Sequence, residues 1–290
     1  MPRKLIASYK NGSYIVRLYA DGTKEKIAPR DSFVAEFPDS IDLKITNYCD
    51  QNCPMCHEKS STLGKHASLD AELLKSLHSG TELAIGGGNP LAHPELVPFL
   101  ERMKKQGIIC NLTINESHFL KNKELLEKLI SERLIYGLGI SIQKYNKEAV
   151  TFAKRHRGTV LHLINGIFKD YDKIADQNLK ILILGYKKFG RGSAYYSPEI
   201  QDQMDKTKQM LPRLFGRFAV ISFDNLAIEQ FELKKLISKE DYDQMYMGDD
   251  GEGSMYIDLV EGTFARSSTS TQRYALKKDI KSMFEVIRKK

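Results

Sequence analysis

The sequence of 290 residues is poor in cysteine and has no long hydrophobic run. No stretch approaches the roughly 18 consecutive apolar residues that a membrane span needs, so we expect a soluble protein. Four cysteines are too few for a disulfide framework, and no apolar signal-like segment follows Met1 and Pro2. Both observations predict a reducing, cytoplasmic setting. A hydrophobic content of 41% is enough for one main domain with appendages.

Acidic residues are in the minority, since 37 Asp and Glu face 44 Lys and Arg, which gives a net charge of +7. Most of this excess lies after Gln272, where seven basic residues accompany two acids, Asp279 and Glu285. Apolar residues in the same tail recur at helical spacing, which predicts a closing helix with one buried face. We favour that interpretation over nucleic-acid binding, which only the basic tail supports. The apolar residues are Leu276, Ile280, Met283, Phe284 and Ile287.

Three of the four cysteines, Cys49, Cys53 and Cys56, lie on one short segment. A 4Fe-4S cluster usually takes four thiolates, so a cluster held by these three would keep one iron free for an external ligand. Zinc also binds closely spaced thiolates, but a structural zinc site needs a fourth ligand. We prefer the cluster, because zinc explains neither the glycine-rich turn nor the strand order described below; a disulfide is the weakest alternative. The candidates for a fourth zinc ligand are His57, His66 and Cys110.

The Cys-x-x-x-Cys-x-x-Cys spacing after the alternating segment 41–46 resembles the signature of the radical S-adenosylmethionine (SAM) superfamily. Further along, residues 83–85 run into a glycine-rich turn. The family carries a Gly-Gly-Glu-Pro turn there, which receives the amino group of SAM. The resemblance therefore implies a 4Fe-4S cluster on the three cysteines and SAM beside this turn. The residues of the turn are Gly86, Gly87, Gly88, Asn89 and Pro90.

The sequence departs from the family pattern at two positions. Gly87, Gly88 and Pro90 fit the motif, but Asn89 stands where the family has Glu. Asn89 keeps an acceptor oxygen and lacks the charge that makes such a hydrogen bond roughly twice as strong. We therefore expect weaker SAM binding, or compensation by backbone carbonyls of the glycine run. Met55 replaces the usual aromatic residue before the last cysteine, and its polarizable thioether can still lie against an adenine ring.

Alternating strand and helix patterns predict βα units and a parallel sheet. Six units match the partial (βα)6 TIM-like barrel, of the α/β class, that the resemblance implies. We expect an N-terminal β-meander over 1–36, the barrel over 37–225 and a C-terminal α/β extension with the closing helix over 226–290. One face of several strands is small and polar, which predicts a water-filled, ligand-holding lumen. Strands are predicted at 41–46, 83–86, 108–115, 136–142, 160–164 and 180–184, and helices at 71–78, 94–105, 122–131 and 147–154.

Active sites of such barrels lie at the C-terminal ends of the strands. At the ends of the third and fourth strands, the resemblance implies that Asn115, Ser141 and Gln143 contact the ribose and carboxylate of SAM. Ordinary end-of-strand capping is the alternative for these three. Residues 185–188 match the adenine position of relatives only by their place in the chain. His162 is expected to be a satisfied core histidine.

The resemblance implies a radical mechanism. An external one-electron donor, similar to flavodoxin or ferredoxin, would reduce the cluster, and cleavage of SAM would give a 5′-deoxyadenosyl radical that abstracts hydrogen from the substrate. The cofactors carry this chemistry while the protein orients them and excludes water. No residue beyond the cofactor ligands is identified as catalytic. No cysteine follows Cys110, which argues against a Cys-ligated auxiliary cluster.

The sequence leaves the substrate open. A peptide or protein is favoured, because the meander and the polar run 266–271 could form an open mouth, with the acidic turn 246–253 as a candidate lid. A nucleotide or tRNA base comes second, supported by the basic tail. The third hypothesis is a non-catalytic module that binds zinc or a cluster.

Overall fold

A computed structural model describes residues 3–30 and 32–288. Met1, Pro2 and Asp31 lie outside the described residues, as do Lys289 and Lys290 of the predicted basic tail. Within these ranges the strands form two sheets, one of three strands and one of ten. The strands are β1 (Leu5–Asn11), β2 (Tyr14–Tyr19), β3 (Lys24–Ile27), β4 (Ser40–Thr46), β5 (Glu82–Gly87), β6 (Ile109–Asn115), β7 (Gly137–Ile142), β8 (Thr159–Ile164), β9 (Lys180–Leu184), β10 (Val220–Phe223), β11 (Ser254–Asp258), β12 (Thr263–Ala265) and β13 (Tyr274–Ala275).

Helices separate most strands of the large sheet, as the predicted βα alternation requires. None of the helices in the described ranges combines the length and the apolar character needed to cross a membrane. The helix predicted at 71–78 is wrong in type, because only a 3₁₀ turn forms at Glu72–Ser76, and Ala71 supplies no side-chain cap. The helices are α1 (Leu96–Lys105), α2 (Glu116–Lys121), α3 (Lys123–Ser131), α4 (Lys147–Arg155), α5 (Tyr171–Ile174), α6 (Arg191–Tyr195), α7 (Pro198–Leu214), α8 (Asn225–Phe231), α9 (Lys239–Met245) and α10 (Ile280–Arg288), with further 3₁₀ turns at Pro90–Ala92 and Leu233–Lys235.

The large sheet has the order β10-β9-β8-β7-β6-β5-β4-β11-β12-β13. Its pairs from β10 to β11 are parallel, and β12 and β13 add antiparallel strands at one edge. In the described part of the chain no strand pairing joins β10 to β13, so hydrogen bonds do not link the two edges of this sheet. The predicted α/β class with a partial parallel barrel is confirmed.

The two faces of the parallel strands differ, as their alternating sequences predict. Outward-facing residues such as Ile41, Leu83 and Leu161 are fully buried in the main hydrophobic core against the helices. The opposite face lines a lumen with small and polar residues, including Asp42 and Gly139. Since a packed barrel interior is dominated by branched apolar residues, this lining differs from that of a packed barrel.

The N-terminal meander (β1 to β3) covers the end of the lumen where the strands begin. Lys24 pairs with Glu82 at the start of β5, and Lys180 at the start of β9 donates to the carbonyl of Asp21. Lys26 lies 2.8 Å from Asp39, just before β4. The meander therefore lies opposite the strand ends that carry the cysteines, and it does not contribute to a substrate mouth there.

The C-terminal part of the chain completes the sheet and the core. Strand β11 pairs in parallel with β4, the strand before the cysteines, so the sheet itself crosses the predicted boundary at 225. The division of the chain into three domains, with boundaries at 36 and 225, stays a prediction. Helix α10 is the expected closing helix, and its first backbone N–H donates to Ser76 Oγ over 2.9 Å. Its buried residues are Ile280, Met283, Phe284 and Ile287.

Candidate SAM and cluster site

The cysteine segment and the glycine turn are joined by backbone hydrogen bonds at the C-terminal ends of β4 and β5. The N–H of Gly88 donates to the carbonyl of Thr46 over 2.8 Å, and the N–H of Asn89 donates to the carbonyl of Tyr48 over 2.6 Å. These two bonds fix the turn against the residues that lead into Cys49. The sequence motifs, separated along the chain, thus form one site.

Glycine is required in the turn for reasons of space and backbone conformation. A Cβ on Gly88 would lie 2.1 Å from the carbonyl oxygen of Tyr48. Gly87 has a φ of 115°, a conformation that other L-residues rarely adopt. At Gly86, by contrast, a Cβ would meet no atom within 4 Å. The turn therefore packs closely on the cysteine segment at Gly88 and is open toward the lumen at Gly86.

Arg191, at the start of α6, holds the cysteine segment from the other side. Its Nε donates to the carbonyl of Cys53 and its backbone N–H to that of Cys56, both over 3.0 Å. A second guanidinium nitrogen donates to the carbonyl of Ser60 over 3.0 Å. The segment is thereby ordered by contacts that leave the three thiols free.

The three thiols fit a cluster better than a single metal ion. A tetrahedral zinc with Zn–S bonds of about 2.3 Å would draw its sulfurs to about 3.8 Å from each other. Among the described residues, the group whose ligand atoms all lie within 4.8 Å is Cys49, Asp50 and His118, and it does not contain Cys53 or Cys56. Thiols that are spread over a wider area suit a cluster, in which each cysteine binds a different iron.

The proposed fourth zinc ligands do not complete a site with the cysteines. Cys110 lies in the hydrophobic core, where burial raises the pKa of its thiol to about 12. The prediction that Cys110 could be the fourth zinc ligand is therefore wrong. His66 Nδ1 lies 2.9 Å from the Thr46 hydroxyl. His57 Nε2 lies between Glu58 Oε1, at 3.3 Å, and Lys187 Nζ, at 3.4 Å.

Burial raises the pKa values of the Cys49 and Cys53 thiols. Cluster assembly must therefore remove protons that the apoprotein retains. The amide Nε2 of Gln143, at the end of β7, lies 4.0 Å from Cys53 Sγ. Of Asn115, Ser141 and Gln143, Gln143 is the one with a hydrogen bond to a cysteine in the described structure. Such a donor would stabilise a charged sulfur.

The other predicted SAM contacts lie around the same opening, and several have structural partners. Asn89 Oδ1 accepts the N–H of Leu91 over 3.2 Å, which caps the 3₁₀ turn that begins at Pro90. Asn115 Oδ1 accepts the N–H of Ser117 over 2.8 Å and caps α2. Ser141 lies on the lumen face beside Asn115. Their roles toward SAM remain predictions.

Met55 and residues 185–188 come together on the β9 side of the site. Met55 packs against an apolar cluster that contains Tyr186, and the Tyr186 hydroxyl donates to the carbonyl of Gly192 over 2.8 Å. Lys187 Nζ donates to Ser268 Oγ over 2.9 Å. The polar run 266–271 is therefore tied to the mouth of the lumen.

A buried charge network, which the sequence did not reveal, supports the site. Lys44 Nζ lies 2.7 Å from Glu58 Oε2 and 2.9 Å from Asp258 Oδ2, and its side chain is 6% exposed. Tyr256 donates to Glu58 over 3.3 Å. Although burial opposes ionisation, the hydrogen bond from His57 and the charge of Lys44 hold the pKa of Glu58 well below its usual range. The network joins β4, the cysteine segment and β11.

Two lumen residues lack partners. Asp42 is open to the lumen and has no hydrogen bond or ion pair with the described residues. Burial raises the pKa of Asp42 to about 6. The nearby charges of Asp250 and Asp224 also raise this pKa, and the charge of Lys187 lowers it. His162 Nδ1 is buried without a partner, so the satisfied histidine predicted here is wrong. Burial lowers the pKa of His162 to about 4.

Three comparisons with known proteins agree with this geometry. Residues 43–182 match the family model of the radical SAM superfamily. A probable GTP 3′,8-cyclase of Methanothermobacter thermautotrophicus is 27% identical over 124 residues, which are 40% of this chain and 39% of that protein. The chain thus spans about two fifths of this curated relative.

Two solved structures share the fold. They are Streptococcus suis SuiB bound to S-adenosylmethionine (TM-score 0.56, 13% identity) and SuiB bound to precursor peptide SuiA (TM-score 0.57, 16% identity). Both alignments cover 87% of this chain, and they cover 64% and 65% of the respective SuiB chains.

The open parallel sheet with a three-cysteine segment at its C-terminal edge defines a cluster-binding enzyme of the partial-barrel class. The family match spans β4 to β9 and includes the cysteines and the glycine turn. Residues 43–182 therefore carry a radical SAM domain, and the resemblance seen in the sequence is confirmed. Its cofactors are accordingly a 4Fe-4S cluster and SAM.

Replacing Lys44 with methionine should destabilise the protein strongly. The substitution leaves Glu58 and Asp258 buried without their cation, and breaking a buried ion pair costs about 3–5 kcal/mol. Urea unfolding measures the change. Lys206→Met is the matched control, since its pair with Asp202 is mostly exposed and contributes at most about 1 kcal/mol. Equal losses for both variants would contradict the buried network.

The Asp42→Asn variant should be more stable than the parent protein at neutral pH. The pKa of Asp42 in the folded protein, about 6, lies above its ordinary value of 3.8, so the folded state loses stability as pH rises through this window. The variant should therefore gain melting temperature above pH 6 and match the parent below pH 4. In the control Asp176→Asn, the Arg217 hydrogen bond lowers the native pKa, so the sign should reverse. A pH-independent difference for Asp42→Asn would contradict the assignment.

Proposed function

We propose that this chain cleaves SAM reductively at a 4Fe-4S cluster held by Cys49, Cys53 and Cys56, and abstracts hydrogen from a peptide or protein substrate. The observation that carries the proposal is the pair of backbone hydrogen bonds that fix the glycine turn beside the three-cysteine segment, at the mouth of a polar lumen. When bound, the cluster and SAM supply an electron and a 5′-deoxyadenosyl radical.

The residues of this chain would position these groups and shield them. The three thiols hold the cluster, and the open space over Gly86 receives the methionine part of SAM. Gln143 donates toward Cys53, while Arg191 fixes the backbone of the segment. The polar run 266–271, attached through Lys187 and Ser268, borders the mouth of the lumen.

The lumen geometry supports entry of the substrate from the cysteine side. The meander covers the opposite end, and the polar run 266–271 borders the mouth. The structure of SuiB with a precursor peptide shows that a similar fold accommodates a peptide. These observations favour a peptide or a protein segment, although the meander contributes nothing to the mouth.

A nucleotide is the second candidate. The observation in its favour is the 27% identity to a probable GTP 3′,8-cyclase, over a range that covers 40% of this chain. Adding GTP to the reconstituted enzyme separates the two candidates. Production of 5′-deoxyadenosine that rises with GTP and gives a modified nucleotide would support the nucleotide.

SAM cleavage is tested by anaerobic reconstitution with iron and sulfide, reduction with dithionite, and chromatography after addition of SAM. We expect 5′-deoxyadenosine from the parent protein and none above background from Cys53→Ala. Iron and sulfide analysis should show the loss of the cluster in the same variant. A parent protein that holds zinc, or a cluster that never cleaves SAM, would instead support the non-catalytic module.

Asn89→Asp should tighten SAM binding. Aspartate has the shape of asparagine, so it keeps the acceptor for the Leu91 N–H, and it adds the charge that pairs with the SAM ammonium. The gain of a charge-assisted bond is about 1 kcal/mol, or roughly fivefold in Kd. Equilibrium dialysis of SAM against the reconstituted protein measures it, with Asn89→Leu as the weakened counterpart. An unchanged Kd in both variants would contradict the placement of SAM at this turn.

A further inference from the structure

Three surface segments surround the cysteine segment on its outer side. Residues 58–66 follow it directly, and the Ser61 carbonyl accepts the N–H of Cys49 over 2.9 Å. Helix α2 is attached through Asp50, whose carboxylate accepts from His118 Nε2 over 2.6 Å. Residues 187–196 are attached through Arg191. We call the exposed part of these three segments the outer cysteine face.

Large apolar side chains are exposed on each of the three segments. Leu63 is 91% exposed, the highest value for any large hydrophobic residue in the described ranges. Leu120 lies on α2, next to Lys121. Phe189 and Tyr195 lie in the third segment and are both exposed. Single exposed apolar residues are ordinary, but exposed groups around one site mark an interaction surface.

The acidic groups of the outer cysteine face all have partners. Asp50 accepts from His118 and Lys121, and Glu58 pairs with buried Lys44. Glu116 accepts from the N–H of Gln143 over 3.1 Å. The exposed side is basic: within the described chain Lys121 pairs with Asp50, whereas the other three lysines, Lys59, Lys65 and Lys188, have no carboxylate within 4.0 Å. The exposed lysines are Lys59, Lys65, Lys121 and Lys188.

We propose that the outer cysteine face, formed by Leu63, Leu120, Phe189 and Tyr195 with the exposed lysines around them, docks an acidic one-electron carrier protein. The inference rests on the proposed function and deepens it by naming the surface through which the electron arrives. The carrier loses one electron, and the cluster gains it. The lumen side of the cysteines faces SAM and the substrate, so the outer side is the face left for a carrier.

The composition fits a brief encounter better than a permanent complex. Basic side chains steer an acidic partner and raise its association rate by about 10- to 1000-fold at low salt. A small apolar centre with a charged rim gives contact without slow release, as in weak electron-transfer complexes. An RNA would use the lysines but has less use for Leu63 and Phe189, so we favour a protein.

The test measures electron transfer separately from SAM cleavage. The reconstituted protein, without SAM, is mixed with an acidic flavodoxin in its fully reduced form, and the loss of cluster absorbance gives the rate. Lys59→Glu/Lys65→Glu should lower the second-order rate constant about tenfold at low salt and flatten its salt dependence. Leu63→Ala should lower it at all salt concentrations. Calorimetry of flavodoxin binding should show a matching rise in Kd.

Two controls make the result specific. Lys105→Glu and Ile15→Ala change an exposed lysine and an exposed apolar residue away from the cysteines, and should leave the flavodoxin rate unchanged. Reduction by dithionite should be the same in all variants, because a small reductant needs no docking surface.

The possible outcomes separate this inference from the proposed function. If Lys59→Glu/Lys65→Glu keeps the parental rate with flavodoxin, the docking surface is wrong, even if dithionite still drives SAM cleavage. The same holds if that variant loses only affinity for RNA. If dithionite yields no 5′-deoxyadenosine from the parent protein, the proposed function fails, whatever the flavodoxin rates are.

Discussion

The site depends on the contact between Gly88 and the backbone that leads into the cysteine segment. The Gly88 N–H reaches the Thr46 carbonyl, and the position of its missing Cβ lies 2.1 Å from the Tyr48 carbonyl oxygen. Any side chain here would push the turn away from β4 and separate the glycine turn from the cysteine segment. The absence of a side chain at Gly88 thus allows the glycine turn to contact the cysteine segment, although the two motifs are distant in sequence.

The lumen follows from the way each parallel strand divides its side chains. Outward residues such as Ile41 and Leu161 form the core with the helices, which supplies the apolar packing of the sheet. The inner face is therefore free to carry groups that cost stability, such as the partnerless carboxylate of Asp42 and the unpaired Nδ1 of His162. The outer faces of the strands thus carry the apolar packing, and the inner faces carry the polar groups, including the buried pairs of Lys44.

Local patterns predicted much of the fold and the centre of the site. The cysteine spacing and the glycine turn are contiguous motifs, and the strands from β4 to β9 follow from apolar alternation over short windows. The 3₁₀ turn at Glu72–Ser76 was missed, because two adjacent leucines satisfy a helical pattern too short to decide the helix type.

Long-range pairings account for most of what the sequence left open. Lys44 was visible on a polar strand face, but its partner Asp258 is brought to it by the pairing of β11 with β4. Nothing local in residues 254–258 specifies β4 as their neighbour. The position of the meander likewise depends on Lys24 and Lys26 meeting carboxylates far along the chain.

The covered end of the lumen has a consequence for the order of events. Because β1 to β3 lie over the start of the strands, held there by Lys24, Lys26 and Lys180, the lumen has its approach at the cysteine end. Under the proposed function, the substrate, SAM and both sets of products share that approach. Molecules that share one entrance must pass through it one after another, so 5′-deoxyadenosine that remains bound there delays binding of the next substrate. The rate of product release therefore limits turnover as much as the chemical step does.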